Sequence, residues 1–410
     1  MTVLVLGGYG LIGQAVVERL LRDGVSVIGS GRRVAVARRR WPQAEWRAAN
    51  LARLSDPAAW GPLLRGVEVV VNAAGLLQGG LGDDAARLQA SAMPALYAQA
   101  RVCGVRRIVQ ISAAGASPQA STSFMRHKAA ADAALLASGV EAAVLRPGLV
   151  ISPVAYGGTA MLRGLAALPW ITPVVHGERP VQTVAVDELA EAVAAAVAGR
   201  IAAGSVVDLV EAESRSLMAT VKLVRAWLGL PPAPVLVLPA ALGTLVSMAA
   251  DGLGWLGWRS PLRSTSMRVI RAGVIGDGAA AAAVLGRPLK TLPQTLAALP
   301  AGVQERWFAR MWLLKALIMA MLSAFWIASG AVALIDLPGA HGRGGHGETT
   351  RNSAPLFPAS TAEAVAIIRE YADAGISHLQ VWLDPGTVAG IDAFAPVLAA
   401  LRDEGVTVSA

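Results

Sequence analysis

Over the first 150 residues, short β-branched runs alternate with longer Ala/Leu/Arg segments that repeat at helical spacing. Runs 2–6, 25–29, 67–71, 107–111 and 142–146 predict strands, and segments 11–22, 84–103 and 123–138 predict helices between them. This is the rhythm of βαβ units. Strands as apolar as Val67-Glu68-Val69-Val70-Val71 suit a parallel sheet covered on both faces, so the predicted class is α/β with a doubly wound parallel sheet. From 151 to 304 prolines and glycines become frequent. Helical stretches at 187–198 and 216–228 alternate there with short extended runs, as in a small C-terminal cap; the alanine run 279–283 reads as helix without chemistry. The apolar segment 235–250 is interrupted by Pro239 and followed by Asp251, and predicts a further cap helix.

Residues 316–335 carry no charge over about the 20 residues that cross a bilayer core, and Arg306, Arg310 and Lys315 precede them. The segment predicts one transmembrane helix within 305–336, against the alternative of a buried helix in a soluble core. The basic flank predicts a single-pass protein of the cell membrane with its N-terminal domain in the cytoplasm. Residues 337–359, rich in Gly, His, Pro, Ser and Thr, predict a linker. A short α/β tail follows over 360–410, with helix 361–374, strand 377–382 and helix 387–402. His341 and His346 lie in the linker without a third ligand, so no metal site is expected.

Composition sharpens this picture. The chain has 410 residues, 54% of them hydrophobic and 16% charged, with a mean hydropathy of +0.52. That is too apolar for a wholly soluble enzyme and predicts contact with membrane lipid. The net charge of +8 suits an acidic partner. No nucleic-acid motif accompanies it, so anionic lipid and cofactor phosphates are expected rather than DNA or RNA. A single cysteine, Cys103, excludes an internal disulfide framework and fits a reducing compartment. The chain opens directly on a strand pattern, which predicts no secretory signal.

The strongest chemical signal is Gly7-Gly8-Tyr9-Gly10-Leu11-Ile12-Gly13, between a predicted strand and a predicted helix. A turn without side chains lets backbone amides approach a pyrophosphate, and the helix N-terminus adds partial positive charge. Residues 1–150 therefore read as a Rossmann dinucleotide-binding domain, with Gly7, Gly8, Gly10, Leu11, Ile12 and Gly13 in the phosphate turn. Where NAD-selective domains carry an acid after the second strand, this chain has Ser30-Gly31-Arg32-Arg33. Arginine pairs bidentately with a 2′-phosphate, so the expected cofactor is NADP(H) ahead of NAD(H). The alternative is a solvated basic loop continuous with Arg38, Arg39 and Arg40.

With Asn72-Ala73-Ala74-Gly75, Ser112 and Arg146-Pro147-Gly148 each after a predicted strand, residues 1–300 resemble the short-chain dehydrogenase/reductase superfamily. The resemblance is to its extended or atypical branch, which includes the nucleotide-binding accessory subunit of respiratory complex I. It implies that Ala73 and Gly75 line the adenine-ribose side, that Asn50 stands near adenine, and that Pro147 and Gly148 shape the nicotinamide end. It also implies a catalytic Ser112 and a Lys128 that serves catalysis and binds the nicotinamide ribose. The family's tyrosine position is Phe124, four residues before Lys128, so its proton donor is missing. Tyr156 and His127 are the nearby candidates to replace it. The implied activity is oxidoreduction of a small or lipid-like carbonyl, alcohol or quinone; a non-catalytic nucleotide-binding scaffold or redox sensor is the alternative.

Two further resemblances concern the C-terminal part. Glu305 to Gly330 resembles the start of a DoxX-like membrane domain fused to reductase-type proteins, although only one span is present. Residues 359–405, with Tyr371-Ala372-Asp373-Ala374-Gly375 and His378-Leu379-Gln380-Val381-Trp382, resemble the C-terminal end of luciferase-like flavin-dependent monooxygenases. A helix-strand-helix remnant cannot close a barrel, so no flavin chemistry is expected there.

Overall fold

The computed structural model describes residues 1–75, 91–255, 262–335, 360–373 and 388–403. They divide into two compact units, 1–319 and 320–410. The first is built on strands β1 (Thr2–Leu6), β2 (Ser26–Gly31), β3 (Glu45–Ala48), β4 (Val69–Asn72), β5 (Arg107–Ile111) and β6 (Glu141–Pro147). The short strands β7 (Leu149–Ile151), β8 (Thr172–Val175), β9 (Pro180–Val181), β10 (Thr183–Ala185), β11 (Ser205–Leu209), β12 (Arg215–Ser216) and β13 (Val235–Leu238) follow.

Seven strands form one sheet in the order β11-β6-β5-β4-β1-β2-β3, and all their pairings are parallel. The sheet switches direction of winding between β1 and β4, where open α/β sheets bind ligands at the carboxyl ends of the strands. β4 and β5 are buried along their whole length. Two apolar layers explain why their sequences do not alternate. On one side Val3, Val5, Val71 and Val109 pack with Val16, Leu20 and Leu189. On the other, Leu4, Leu6, Val70 and Ile108 pack with Leu64, Leu96 and Leu135.

The five predicted strands and the helices at Leu11–Arg22 and Ser123–Leu136 are present, with ends shifted by at most two residues. Helix 84–103 is seen as Met93–Val102, its earlier part lying outside the described residues. Two sheet strands were not predicted. β3 has only one buried residue, Trp46, and so lacks an apolar run. β11 comes from beyond residue 150, so a segment read as cap supplies the sheet's other edge.

The expectation for 235–250 needs correction. Val235–Leu238 is a strand paired in parallel with β8, and helix begins only at Ala240, after Pro239, continuing to Trp255. Proline lacks the amide that would carry a helix through position 239, and the preceding residue is biased to extended backbone.

A third cluster joins the cap: Leu162, Val174, Val221, Val224, Leu228, Leu292 and Leu296 pack together with Ala309. Ala309 lies near the start of the helix Val303–Ile335. That helix is long and apolar enough to cross a membrane over Val303–Ala331, with a mean hydropathy of 1.9 in its most apolar stretch, none of which is buried. In the second unit the helices Thr361–Asp373 and Val388–Asp403 pack through Ala364, Val365, Val397 and Leu401. The predicted linker with its two histidines, and the predicted strand 377–382, lie outside the described residues.

Candidate nucleotide site

Because the sheet is parallel, the residue after each strand emerges at the same edge. Gly7 follows β1, Arg32 follows β2, Asn50 lies just beyond β3, Ala73 to Gly75 follow β4, Ser112 follows β5 and Gly148 follows β6. The site residues named from sequence are thus gathered along one rim.

The glycine turn has steric reasons at each position. Gly7 sits at φ +72°, a left-handed conformation, and a Cβ there would lie 3.1 Å from Ala73 O. Gly13 is the tightest, since a Cβ would stand 2.1 Å from Gly7 O. The amides of Gly7 and Gly8 both donate to Ser30 O, at 2.9 and 3.1 Å, which ties the turn to the end of β2. Gly10 is the N-cap of the helix Leu11–Arg22 and offers no side chain to it. The amides of Leu11, Ile12 and Gly13 belong to the first turn and have no intrahelical acceptor. They form the anion-binding end that a pyrophosphate fits.

Tyr9 is a contributor that the glycine pattern concealed. Its ring lies against Gly31, where a Cβ would come within 2.2 Å. Its hydroxyl accepts from the amides of Arg32 and Arg33, at 2.9 and 3.2 Å. The phosphate turn thereby holds the basic loop by its backbone, leaving both arginines exposed at the rim. Arg38 donates to Trp46 O at 2.9 Å, and Arg40 stacks on Trp41 and pairs with Glu18. Arg38 and Arg40 thus have partners within the fold, while Arg38, Arg39 and Arg40 all remain exposed, so the basic surface runs on past Arg32 and Arg33.

At the next strand, Asn72 is wholly buried. It donates from Nδ2 to Gln110 Oε1 at 2.8 Å, and its Oδ1 accepts from the Ala74 amide at 3.1 Å. This shapes the turn that carries Ala73 against Gly7 and Gly75 against Lys128; a Cβ on Gly75 would stand 3.3 Å from Lys128 Nζ. Asn50 is half-buried in extended backbone ahead of a short 3-10 turn.

Lys128 and Ser112 occupy the centre of the rim. Lys128 is 4% exposed and donates from Nζ to Ile111 O at 2.9 Å. Burial pulls its pKa down to about 8, partly opposed by the attraction of Asp132. Ser112 donates from Oγ to Asp132 Oδ2 at 2.7 Å. The same carboxylate oxygen accepts from Arg146 Nε and Nη2, at 3.2 and 3.1 Å. Burial raises the Asp132 pKa, against the opposing pull of Ser112, Arg146 and Lys128. Sequence reasoning missed Asp132. Its place one turn beyond Lys128 on the same helix was the available signal.

Phe124 is half-buried on the helix Ser123–Leu136, one turn before Lys128. Of the replacement donors, His127 is half-buried on the same helix, while Tyr156 lies on the loop before the helix Gly158–Ala166 and is 65% exposed. Pro147 ends β6. Gly148 has a structural reason: a Cβ there would lie 2.5 Å from Gln182 O, where β7 runs beside the β9–β10 segment.

Comparison with known proteins agrees with this geometry. Residues 7–169 match a family model described as NAD(P)H-binding. No curated protein sequence matches the chain. Among solved structures it is similar to an NADPH-dependent quinone oxidoreductase from Escherichia coli in complex with NADPH, at 19% identity and TM-score 0.56, covering 72% of this chain and 98% of that one. It is also similar to the triphenylmethane reductase of Citrobacter sp. in complex with NADP(H), at 16% identity and TM-score 0.56, covering 72% and 99%. A third is a nucleoside-diphosphate-sugar epimerase from Staphylococcus aureus, at 13% identity and TM-score 0.57, covering 72% and 99%. At these identities the likeness establishes the fold. Together with the family match and the glycine turn, it makes the N-terminal part of this chain an NAD(P)H-binding Rossmann domain.

Proposed function

We propose that this protein is an NADPH-dependent oxidoreductase acting on a small or lipid-like quinone-type acceptor from the cytoplasmic side of a membrane. The observation that carries this reading is the combination proposed for the nicotinamide end: a buried Lys128, with Phe124 one turn before it. Gly75, which the resemblance put on the adenine-ribose side, lies against Lys128 instead. The exposed Arg32 and Arg33 favour a cofactor with a 2′-phosphate, and the amides of Leu11, Ile12 and Gly13 would hold its pyrophosphate. When bound, NADPH supplies a hydride.

The missing acid selects the acceptor. Reducing a simple ketone makes an alkoxide at least as basic as hydroxide, water having a pKa of about 15.7. Such a product needs a positioned donor, and phenylalanine has no proton to give. Reducing a quinone makes a phenolate, whose parent pKa is about 10, and water at the rim can protonate it. Lys128, titrating near pH 8, stays charged enough at neutral pH to hold a ribose hydroxyl and to stabilise the negative oxygen.

The membrane part of the proposal is supported by the helix Val303–Ile335, with its charge-free run and the preceding Arg306, Arg310 and Lys315. Leu317, Met321, Phe325 and Trp326 are all more than half exposed, which a core helix would not be. The membrane assignment fails if the full-length chain fractionates as a soluble protein or leaves membranes in carbonate.

The function is tested with purified full-length protein in detergent, following NADPH oxidation against benzoquinones, naphthoquinones, aldehydes and ketones. Turnover with quinones and little with ketones supports the proposal. NADPH binding without oxidation by any acceptor would favour the second reading, a nucleotide-binding scaffold or sensor. That reading draws on the same Phe124 and on the capture of the Ser112 hydroxyl by Asp132.

A further inference from the structure

The cap contains a helix packed with its small side. Along Ala240–Trp255, Gly243, Ser247 and Ala250 are buried, at spacings that put them on one stripe. Gly243 meets Val175 of β8 so closely that a Cβ would stand 2.8 Å from its Cγ1. The large apolar side chains point the other way: Leu242, Leu245 and Met248 are 47%, 65% and 65% exposed. Beside the helix, β13 exposes Leu236 and Val237, and Trp170, two residues before β8, is 82% exposed. No residue between Arg225 and Asp251 is charged. In a water-facing helix the polarity runs the other way, and an exposed apolar surface of this kind marks a contact site.

The rest of the cap indicates what covers it. Val174 of β8 belongs to the cluster that buries Ala309, and Val235 of β13 packs against that cluster. The apolar surface therefore grows from the same core that anchors the start of the helix Val303–Ile335. Its fringe carries more base than acid: Glu178 and Arg179, just past β8, are both exposed. Arg268 and Arg271 are exposed on the helix Ser264–Ala272, which packs on Ala240–Trp255, and Asp251 is neutralised by Arg263 at 3.1 Å. Arg310 is exposed nearby in sequence to Ala309. Apolar side chains rimmed by arginine suit the headgroup and upper acyl region of an anionic leaflet.

We propose that this face, formed by β8, β13 and the helix Ala240–Trp255, is a bilayer-contacting surface that seats the cap in the lipid interface. It rests on the membrane reading above and adds a second, shallow point of attachment. The consequence is functional: a lipid-soluble acceptor would reach the cap from the bilayer without crossing bulk water.

The test uses full-length protein in vesicles of phosphatidylcholine and phosphatidylglycerol. Three single-cysteine forms are spin-labelled: the native chain at Cys103, and Leu245→Cys and Phe325→Cys in a Cys103→Ser background. Each label's collision with oxygen, which concentrates in lipid, is compared with collision with a water-soluble nickel chelate. NADPH binding by each form confirms the fold. The expected result is an oxygen-to-nickel ratio at 245 several-fold above that at Cys103 and below that at 325. A ratio at 245 equal to that at Cys103, with 325 in lipid, overturns this inference and leaves the membrane span standing. Nickel-accessible labels at both 245 and 325 overturn the span as well. A label at 245 shielded from both reagents would assign the face to another protein surface, such as a second copy, and also overturns it.

Discussion

The two ends of the rim hold their chemistry in different materials. At the phosphate end the working groups are backbone amides and missing side chains: Gly7, Gly10, and Gly13 with no room for a Cβ. At the end proposed for the nicotinamide they are side chains, and there the set differs from the one the resemblance implies. Phe124 holds the position that the resemblance gives to a tyrosine donor, and the Ser112 hydroxyl is bonded to Asp132. Backbone geometry is fixed by the packing of a whole sheet and helix, so many contacts protect it. A side-chain function can be lost through one substitution that the fold tolerates. Cofactor binding is thus expected to be the firmer property of this molecule, and the nature of its turnover the more specialised one.

The sharpest way to break this contrast is Phe124→Tyr. A tyrosine hydroxyl one turn from the Lys128 charge supplies the missing acid, and general acid catalysis contributes about 10²–10⁴ in rate. Ketone reduction should rise toward that range, while quinone reduction and NADPH affinity change little; steady-state kinetics on both acceptors checks it. No gain with ketones would mean that another donor, such as Tyr156, already acts. Gly13→Val attacks the other end. With Gly7 O at 2.1 Å from the added carbon, the turn must open, at about 1–3 kcal/mol of stability for overpacking. NADPH binding should vanish in calorimetry even if circular dichroism shows an intact fold. Binding that survives within a few-fold would show that the turn is not the phosphate site.

Smaller effects test selectivity. Replacing Arg32 and Arg33 by alanine should weaken NADPH binding by about 1–3 kcal/mol, the scale of hydrogen bonds to charged groups. NADH affinity should stay nearly unchanged. Equal affinities for the two nucleotides in the parent protein would remove the role given to these arginines.

The mildest prediction concerns pH. The Lys128 pKa is lowered to about 8 in the fold from 10.5, so between these values the unfolded chain binds the extra proton. Free-protein stability from this group should therefore rise with pH across that window and be lowest below it. NADPH affinity should run oppositely, because an anionic ligand favours the ammonium form. It should fall as pH climbs above 8, by at most about tenfold per unit for one linked proton. Lys128→Met should flatten both profiles, as measured by thermal melts and fluorescence titration. A parent protein whose NADPH affinity is flat from pH 7 to 10 would place Lys128 away from the ligand.

The sequence by itself determined the parts that local rules control. Strands buried on both faces carry short apolar runs without alternation, so β1, β2, β4, β5 and β6 stood out. The glycine turn was legible because its constraint is steric and falls on consecutive residues, and the order of strands and turns then placed Ser112, Lys128 and Gly148 near one rim. Only the tertiary structure decided what depended on distant partners. β3 became a sheet strand by pairing, with little apolar pattern of its own, and only pairing shows that the apolar run of β11, which lies within the segment read as cap, joins the sheet. The 235–238 run became a strand because β8 lay open to pair with it. Tyr9 gained its role from a loop more than 20 residues away, and Asp132 from Ser112 and Arg146 on two neighbouring strand ends. The inverted helix at 240–255 shows the same limit: its first ten residues are uncharged on every side, and only packing shows that Gly243, Ser247 and Ala250 face inward. Periodicity records which face of an element is apolar, while the neighbour that meets each face is set by the topology of the whole chain.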